Sequence, residues 1–191
     1  LNNLTAAGAS LGGAFNAPNT ATLGFGGIAP PGATYKAVTE SWNGTNWTEV
    51  NDLNTARALM GGAGDSNTAV LAYGGNAPPV TAVTELWNGT NWTEVNDLST
   101  ARKELGDAGT STAALAFGGE TGTAVTGANE SWNGTNWTEV NDLNTARAAL
   151  GGAGLQPAAL AFGGRNHSDT KDAETEKWNG SSWTEDSDLS S

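Results

Sequence analysis

Trp87-Asn88-Gly89-Thr90-Asn91-Trp92-Thr93-Glu94-Val95-Asn96-Asp97-Leu98 decides how this chain is read, because the same twelve residues begin again at Trp42 and at Trp132. A degraded copy, WNGSSWTEDSDL, begins at Trp178, so the spacings are 45, 45 and 46 residues. Self-similarity at such a period marks a repeat architecture. A second landmark, an aromatic followed by two glycines, keeps the same count: Phe25-Gly26-Gly27, Tyr73-Gly74-Gly75, Phe117-Gly118-Gly119 and Phe162-Gly163-Gly164. The opening NNLTAAGASLGGAF aligns without gaps on NDLNTARALMGGAG. The chain therefore divides into units 1–50, 51–95, 96–140 and 141–191, with no linker, inside one domain, 1–191. Its opening Leu1 reads as the start of an excerpt or a processed product.

Each unit reads as four short strands. Ala58 to Gly64 (strand a) and Ala69 to Tyr73 (strand b) are apolar runs separated by the turn formers Asp65-Ser66-Asn67. A polar stretch of changing length follows the glycine pair. Then come Ala82 to Trp87 (strand c), the Asn88-Gly89 turn and Trp92 to Val95 (strand d), where β-branched and aromatic residues flank the strongest short-range hairpin signal. Asp52 to Arg57, repeated at Asp97 to Arg102 and Asp142 to Arg147, has a helical look but is too short to hold a helix alone. The prediction is an all-β chain.

Composition narrows the partners. Only 37% of the 191 residues are hydrophobic, and 27 glycines and 8 tryptophans replace the usual Leu and Ile, so burial rests on indoles and on close backbone approach. A net charge of −12 removes the electrostatic attraction that dominates phosphate-backbone binding, which argues against nucleic acid and anionic membranes. With no cysteine there is no disulfide, thiolate or Cys-ligated metal. No apolar run reaches the roughly 20 residues of a membrane-crossing helix, so no membrane insertion is expected.

The glycine pair closing strand b, the aromatics flanking the c–d turn (Trp87 and Trp92) and the Arg opening the next unit (Arg102) resemble the kelch repeat over the whole chain. The resemblance implies a β-propeller of four kelch-like, four-stranded blades, used for binding or scaffolding. It departs in carrying Trp where kelch units usually have Tyr, in a shorter spacing between the two aromatics, and in Gly8 at the Arg position of the first unit. The wording WNGTNWTEVNDLNTAR is also similar to repeat proteins of marine phages, especially those of cyanobacteria, which implies a virion or fibre component and a virion or extracellular location. Because the chain starts before a strand a and ends after a strand d, ring closure would rest on packing alone. The alternatives are a larger ring or self-association.

The repeated residues read as structure. Trp42, Trp87, Trp132 and Trp178 end strand c, and Trp47, Trp92, Trp137 and Trp183 open strand d; identical in every unit, they are expected to pack blade on blade. Arg57, Arg102 and Arg147 are expected to satisfy loop carbonyls or a repeat acid such as Glu94. The regularly placed glutamates, such as Glu40 and Glu49, read as a solvated strand face. Sequons at Asn43, Asn46, Asn88, Asn91, Asn133 and Asn136 are explained by turn chemistry without a glycan.

No constellation for catalysis appears: a single histidine, His167, no P-loop lysine and no nucleophile–base pair. The expectation is a non-enzyme without cofactor or metal. What differs between units is the b–c connection, Ile28 to Lys36, Asn76 to Thr81, Glu120 to Ala128 and Arg165 to Ala173. An up-and-down blade puts these connections at one end with the d–a crossovers. Tyr35, Lys36, Arg165 and His167 are the candidate binding residues there, with a protein or a cell-surface glycan as partner. Two other readings stay open. One is a lectin-like propeller with one sugar site per blade; the other is a reconstructed or engineered repeat protein with no evolved ligand.

Overall fold

The computed structural model describes residues 4, 9–14, 19–29 and 34–189. Among them every regular element is a strand. The first repeat forms β1 (Gly12–Gly13), β2 (Thr22–Phe25), the short hairpin β3 (Ile28–Ala29) and β4 (Thr34–Tyr35), then β5 (Thr39–Trp42) and β6 (Trp47–Val50). The second forms β7 (Gly61–Ser66), β8 (Ala69–Tyr73), β9 (Thr84–Trp87) and β10 (Trp92–Glu94). The third forms β11 (Gly106–Thr110), β12 (Ala113–Phe117), β13 (Asn129–Trp132) and β14 (Trp137–Val140). The fourth forms β15 (Gly151–Leu155), β16 (Ala158–Phe162), β17 (Thr175–Trp178) and β18 (Trp183–Asp186). Apart from the β3–β4 hairpin, the described strands make four antiparallel sheets of four, each an up-and-down meander.

Local chemistry explains the limits of the strands. Strand b is found where expected, whereas β7 starts at Gly61 and runs through Ser66 with a bulge between Gly64 and Ser66, leaving Asn67-Thr68 as the turn. The Asn-Gly connection is a four-residue loop: Asn88 N donates to Asn91 O at 3.2 Å, Gly89 takes φ 91°, and Asn88 Oδ1 accepts the Thr90 and Asn91 N–H groups. Its side chain does the work that a tighter two-residue turn would leave to the backbone. Trp87 and Trp92 are thereby set directly opposite one another, ring centroids 5.5 Å apart. The string Asp52 to Arg57 is an extended crossover bent at Asn54 and Thr55, since nothing continues its one apparent turn into a helix.

Period-two alternation gives each sheet two apolar sides, one toward the preceding sheet and one toward the following sheet. From the first sheet Ala14, Leu23 and Phe25 meet Val70, Ala72, Trp87 and Trp92 of the second, with Leu53 and Met60 of the crossover closing the cluster. The second and third sheets repeat the contact with Leu71 and Tyr73 against Ala114, Ala116 and Trp132. The third and fourth use Leu115 and Phe117 against Ala159, Ala161, Trp178 and Trp183. In each contact a strand-b aromatic stands edge-on to a strand-d indole: Phe25 on Trp92, Tyr73 on Trp137 and Phe117 on Trp183, centroids 4.8–5.1 Å apart. The core is thus three layers between sheets, and each large side chain buried there contributes about 1.5–3 kcal/mol.

Strands β1, β7, β11 and β15 pack in series along the inner edge, and glycine makes this possible. A Cβ on Gly62 would collide with Gly13 O, and one on Gly152 with Asp107 O. No comparable packing joins β15 back to β1 among the described residues.

Two readings of the acids are corrected. The arginines pair with strand-c glutamates, and Glu94 is exposed on strand d. Arg57 meets Glu85; Arg102 Nη1 lies 2.9 Å from Glu130 Oε1; Arg147 Nη2 lies 3.0 Å from Glu176 Oε1. Each arginine also donates to a strand-b carbonyl, Ala72 O, Ala116 O or Ala161 O. The second carboxylate oxygen accepts a crossover N–H, from Asn54, Ser99 or Asn144, at 2.7–2.8 Å. All three pairs are fully buried, and so is Glu40, in contrast to the solvated face expected of the repeat glutamates. The reason is alternation: Glu85 and Trp87 are two residues apart and share the side that the preceding sheet covers, whereas Glu94 lies on the outermost strand. Gly8, which takes the arginine position in the first unit, lies outside the described residues.

Candidate functional site

The two ends of the sheets differ in what they repeat. At the c–d end the Asn-Gly loops recur with the same bonds: Asn43, Asn88, Asn133 and Asn179 each accept two loop N–H groups through Oδ1. Asn51 and Asn96 reach across to Oδ1 of Asn91 and Asn136 in the following sheet, at 2.8 and 2.7 Å. These sequon side chains are therefore occupied in turns and ties.

At the other end the b–c connections meet the crossovers. The first residue of each connection bridges the crossover of its own unit, as Ile28 with Ala9, Asn76 with Ala58, Glu120 with Lys103 and Arg165 with Ala148. The connections then fold back on themselves, Ile28 against Tyr35, Asn76 against Val80, Glu120 against Val125 and Arg165 against Lys171. Gly74 and Gly75 launch this geometry at φ 64° and 106°, and a Cβ on Gly74 would sit 2.5 Å from Arg102 O.

Beside these roots the equivalent residue of each unit takes the left-handed conformation without being glycine: Ser10 (φ 58°), Leu59 (58°), Glu104 (52°) and Ala149 (54°). Each strained residue costs about 1 kcal/mol or more. A ladder between units holds them, with Leu59 N donating to Ser10 O at 3.1 Å, Glu104 N to Leu59 O at 2.8 Å and Ala149 N to Glu104 O at 2.8 Å. All four line a mouth of about 470 Å³, together with Leu11, Met60, Leu105, Leu150 and Arg165. The mouth is mixed in character: hydroxyl, leucine, carboxylate and methyl are offered by four otherwise equivalent positions.

Arg165 ties this mouth to the loops. Its Nη2 donates to Glu104 Oε2 at 2.7 Å and Glu120 Oε2 at 2.6 Å, and Lys103 Nζ lies 3.3 Å from Glu120 Oε1. Hydrogen bonding from Arg165, aided by Lys103 against some desolvation, holds the Glu120 carboxyl below its usual range; the same carboxylates raise Arg165 further. His167 and Arg165 line a smaller recess of about 150 Å³ against Glu120 and Thr123. At the junction of the first two loops, Asn76 Nδ2 donates to Tyr35 Oη at 2.7 Å, and Lys36 is held through its backbone, its N–H on Gly27 O and its carbonyl on Arg57 N. The four candidate residues thus fall into two pairs, Tyr35 with Lys36 and Arg165 with His167, at separate loop junctions.

Residues 10, 59, 104 and 149 were not singled out by the sequence reading. The available signal was that theirs is the one position differing in all four copies of the string that links the arginine to the glycine strand, Ser, Leu, Glu and Ala in turn. Asp107 was likewise not singled out. It lies on β11, replaces the glycine found at 13, 62 and 152, and accepts the Gly62 N–H at 3.1 Å; burial pushes its carboxyl up to about 7. Among the described residues no three metal-ligating side chains come together. Trp87, Trp92, Trp132, Trp178 and Trp183 are buried, so those indoles offer no open ring face for stacking on a sugar. A scan against models of known protein families gives no match, and a search of curated proteins finds no significant relative.

Proposed function

We propose that the chain is a non-catalytic interaction module. Its four sheets act as kelch-like propeller blades, and the crossover end presents the b–c loops and the axial mouth to a protein or a cell-surface glycan, as a virion or fibre component would. The observation that carries this reading is the segregation of variety. The Asn-Gly loops of the c–d end repeat their bonds, while the four chemically unlike mouth positions (Ser10, Leu59, Glu104 and Ala149) and the b–c loops with Tyr35, Lys36, Arg165 and His167 gather at the opposite end. A rigid scaffold with divergent loops on one face is the arrangement in which recognition is set by loop content. Left-handed backbone at four mouth positions adds strain of the kind that accumulates at binding sites.

The test applies the labelled chain to a glycan array and to intact cyanobacterial cells, beside a variant whose four b–c loops all carry the Asn76 to Thr81 sequence. Binding by the chain and loss of that binding in the loop-uniform variant is the expected result. Equal binding by both, or none by either, overturns the reading.

A further inference from the structure

We infer that the exposed side of the fourth sheet is a docking surface for the first sheet of a second copy of this chain, so that copies associate head to tail. This inference stands apart from the loop-face reading, since it concerns the other surfaces of the same sheets. Three contacts inside the molecule show what such a surface takes. The side of a sheet that carries strand-b Leu and aromatic residues is covered each time by the Trp-bearing side of the next sheet.

In the fourth sheet that covering layer is absent among the described residues. Leu160 is 38% exposed, where its equivalents Leu23, Leu71 and Leu115 are at 0–1%. Leu189 is 50% exposed, where Leu53, Leu98 and Leu143 are at 4–5%. Phe162 meets no described ring, whereas Phe25, Tyr73 and Phe117 each meet an indole.

The complementary half lies on the first sheet. Trp42 and Trp47 are only half-buried and stack on each other, centroids 5.5 Å apart. Thr22 and Gly24 are also half-buried, where Val70 and Ala72, Ala114 and Ala116, and Ala159 and Ala161 are buried by a preceding sheet.

A polar tie gives direction to the match. In the first contact Asn67 Nδ2 donates to Ser41 Oγ at 3.0 Å and Trp42 O at 3.3 Å; in the third, Gln156 Nε2 donates to Ser131 Oγ and Trp132 O, both at 2.7 Å. The equivalent residue of the first sheet is Asn19, because its carbonyl accepts Trp42 Nε1–H as those of Asn67 and Gln156 accept Trp87 and Trp178 Nε1–H. Asn19 is exposed. Its amide matches Trp178 O of a neighbouring copy, and Lys177, which stands at the position of Ser41 and Ser131, supplies a donor for its oxygen. Asp186 and Ser187 take the places of Val50 and Asn51, so the rim is more polar than in the internal contacts and the association is reversible.

Light-scattering mass across a concentration series tests this with the chain as it is. A mass rising from 19.3 kDa to a multiple of it is expected. Leu160→Asp spoils one surface and Gly24→Glu the other. Leu160 is exposed, and a Cβ at Gly24 meets its nearest atom, on Trp47, at 3.7 Å, so circular dichroism should show both variants folded. Each variant alone is expected to stay monomeric. Mixed, they are expected to pair, because each retains the surface that the other has lost. A chain monomeric at every concentration, association that survives either substitution, or a mixture that stays monomeric overturns the proposal.

Discussion

Replacing Asn129 by Thr is expected to stabilise the protein. In the first two contacts between sheets a strand-d indole N–H donates to a strand-c threonine, Trp92 Nε1 to Thr39 Oγ1 at 3.0 Å and Trp137 Nε1 to Thr84 Oγ1 at 3.1 Å. The third contact places Asn129 at the threonine position, and there both Trp183 Nε1 and Asn129 Oδ1 are buried without a hydrogen-bond partner. An unpaired buried polar group costs about 1–3 kcal/mol, and a restored hydrogen bond is worth about 1 kcal/mol. Against this stands the loss of Asn129 Nδ2 to Asn141 O, 3.1 Å, which is cheap because Asn141 is exposed and water can take the place of the amide. The balance is about 1–2 kcal/mol in favour of Thr. For a chain of this size that is roughly 2–8 °C in Tm. Calorimetry and urea unfolding followed by tryptophan fluorescence measure it, and Thr84→Asn serves as the mirror experiment with an expected loss of similar size. An unchanged or lowered midpoint for Asn129→Thr, with no loss for Thr84→Asn, refutes the reasoning that the indole–hydroxyl bond matters to stability.

Glu130→Gln should cost about 3–5 kcal/mol, because it leaves the fully buried Arg102 guanidinium without its counter-charge. Urea midpoints measure this, and a cost under about 1 kcal/mol would mean that the pair is dispensable. Asp107 should make stability fall with rising pH. Its carboxyl is raised to about 7 in the fold against about 4 when unfolded, so the folded state favours the neutral acid. The contribution is intact below pH 4 and is lost as pH rises through 7. The Asp107→Asn variant should therefore gain on the parent by about 2–4 kcal/mol between pH 4.5 and 8. Parallel pH dependence of the two Tm values would show that Asp107 does not titrate in this way.

Much of the fold was legible because its determinants are local. The repeat count, strand b and the opposed tryptophans on either side of each Asn-Gly loop follow from residues a few positions apart. The strand-c glutamates were misread for a reason that is not local. Glu85 and Glu94 look alike in the sequence, and only the packing of the preceding sheet and its crossover covers one and leaves the other in water. The same holds for the candidate site. The varying loops are visible as strings of unequal length, but the grouping of Ser10, Leu59, Glu104 and Ala149 around one mouth depends on a ladder between units about 45 residues apart.

By itself the sequence determined an acidic, cysteine-free, all-β chain of four like units, because strand periodicity, turn chemistry and charge are written into neighbouring residues. Tertiary structure decided which of the repeated groups are paired, strained or left uncovered. Arg57 finds Glu85 across 28 residues, Arg165 joins Glu104 and Glu120, and Leu160 stays exposed while the identical residues Leu71 and Leu115 are sealed. The physical reason is that burial belongs to the contact between sheets and not to the residue. The same leucine is core where a sheet follows it and surface where none does.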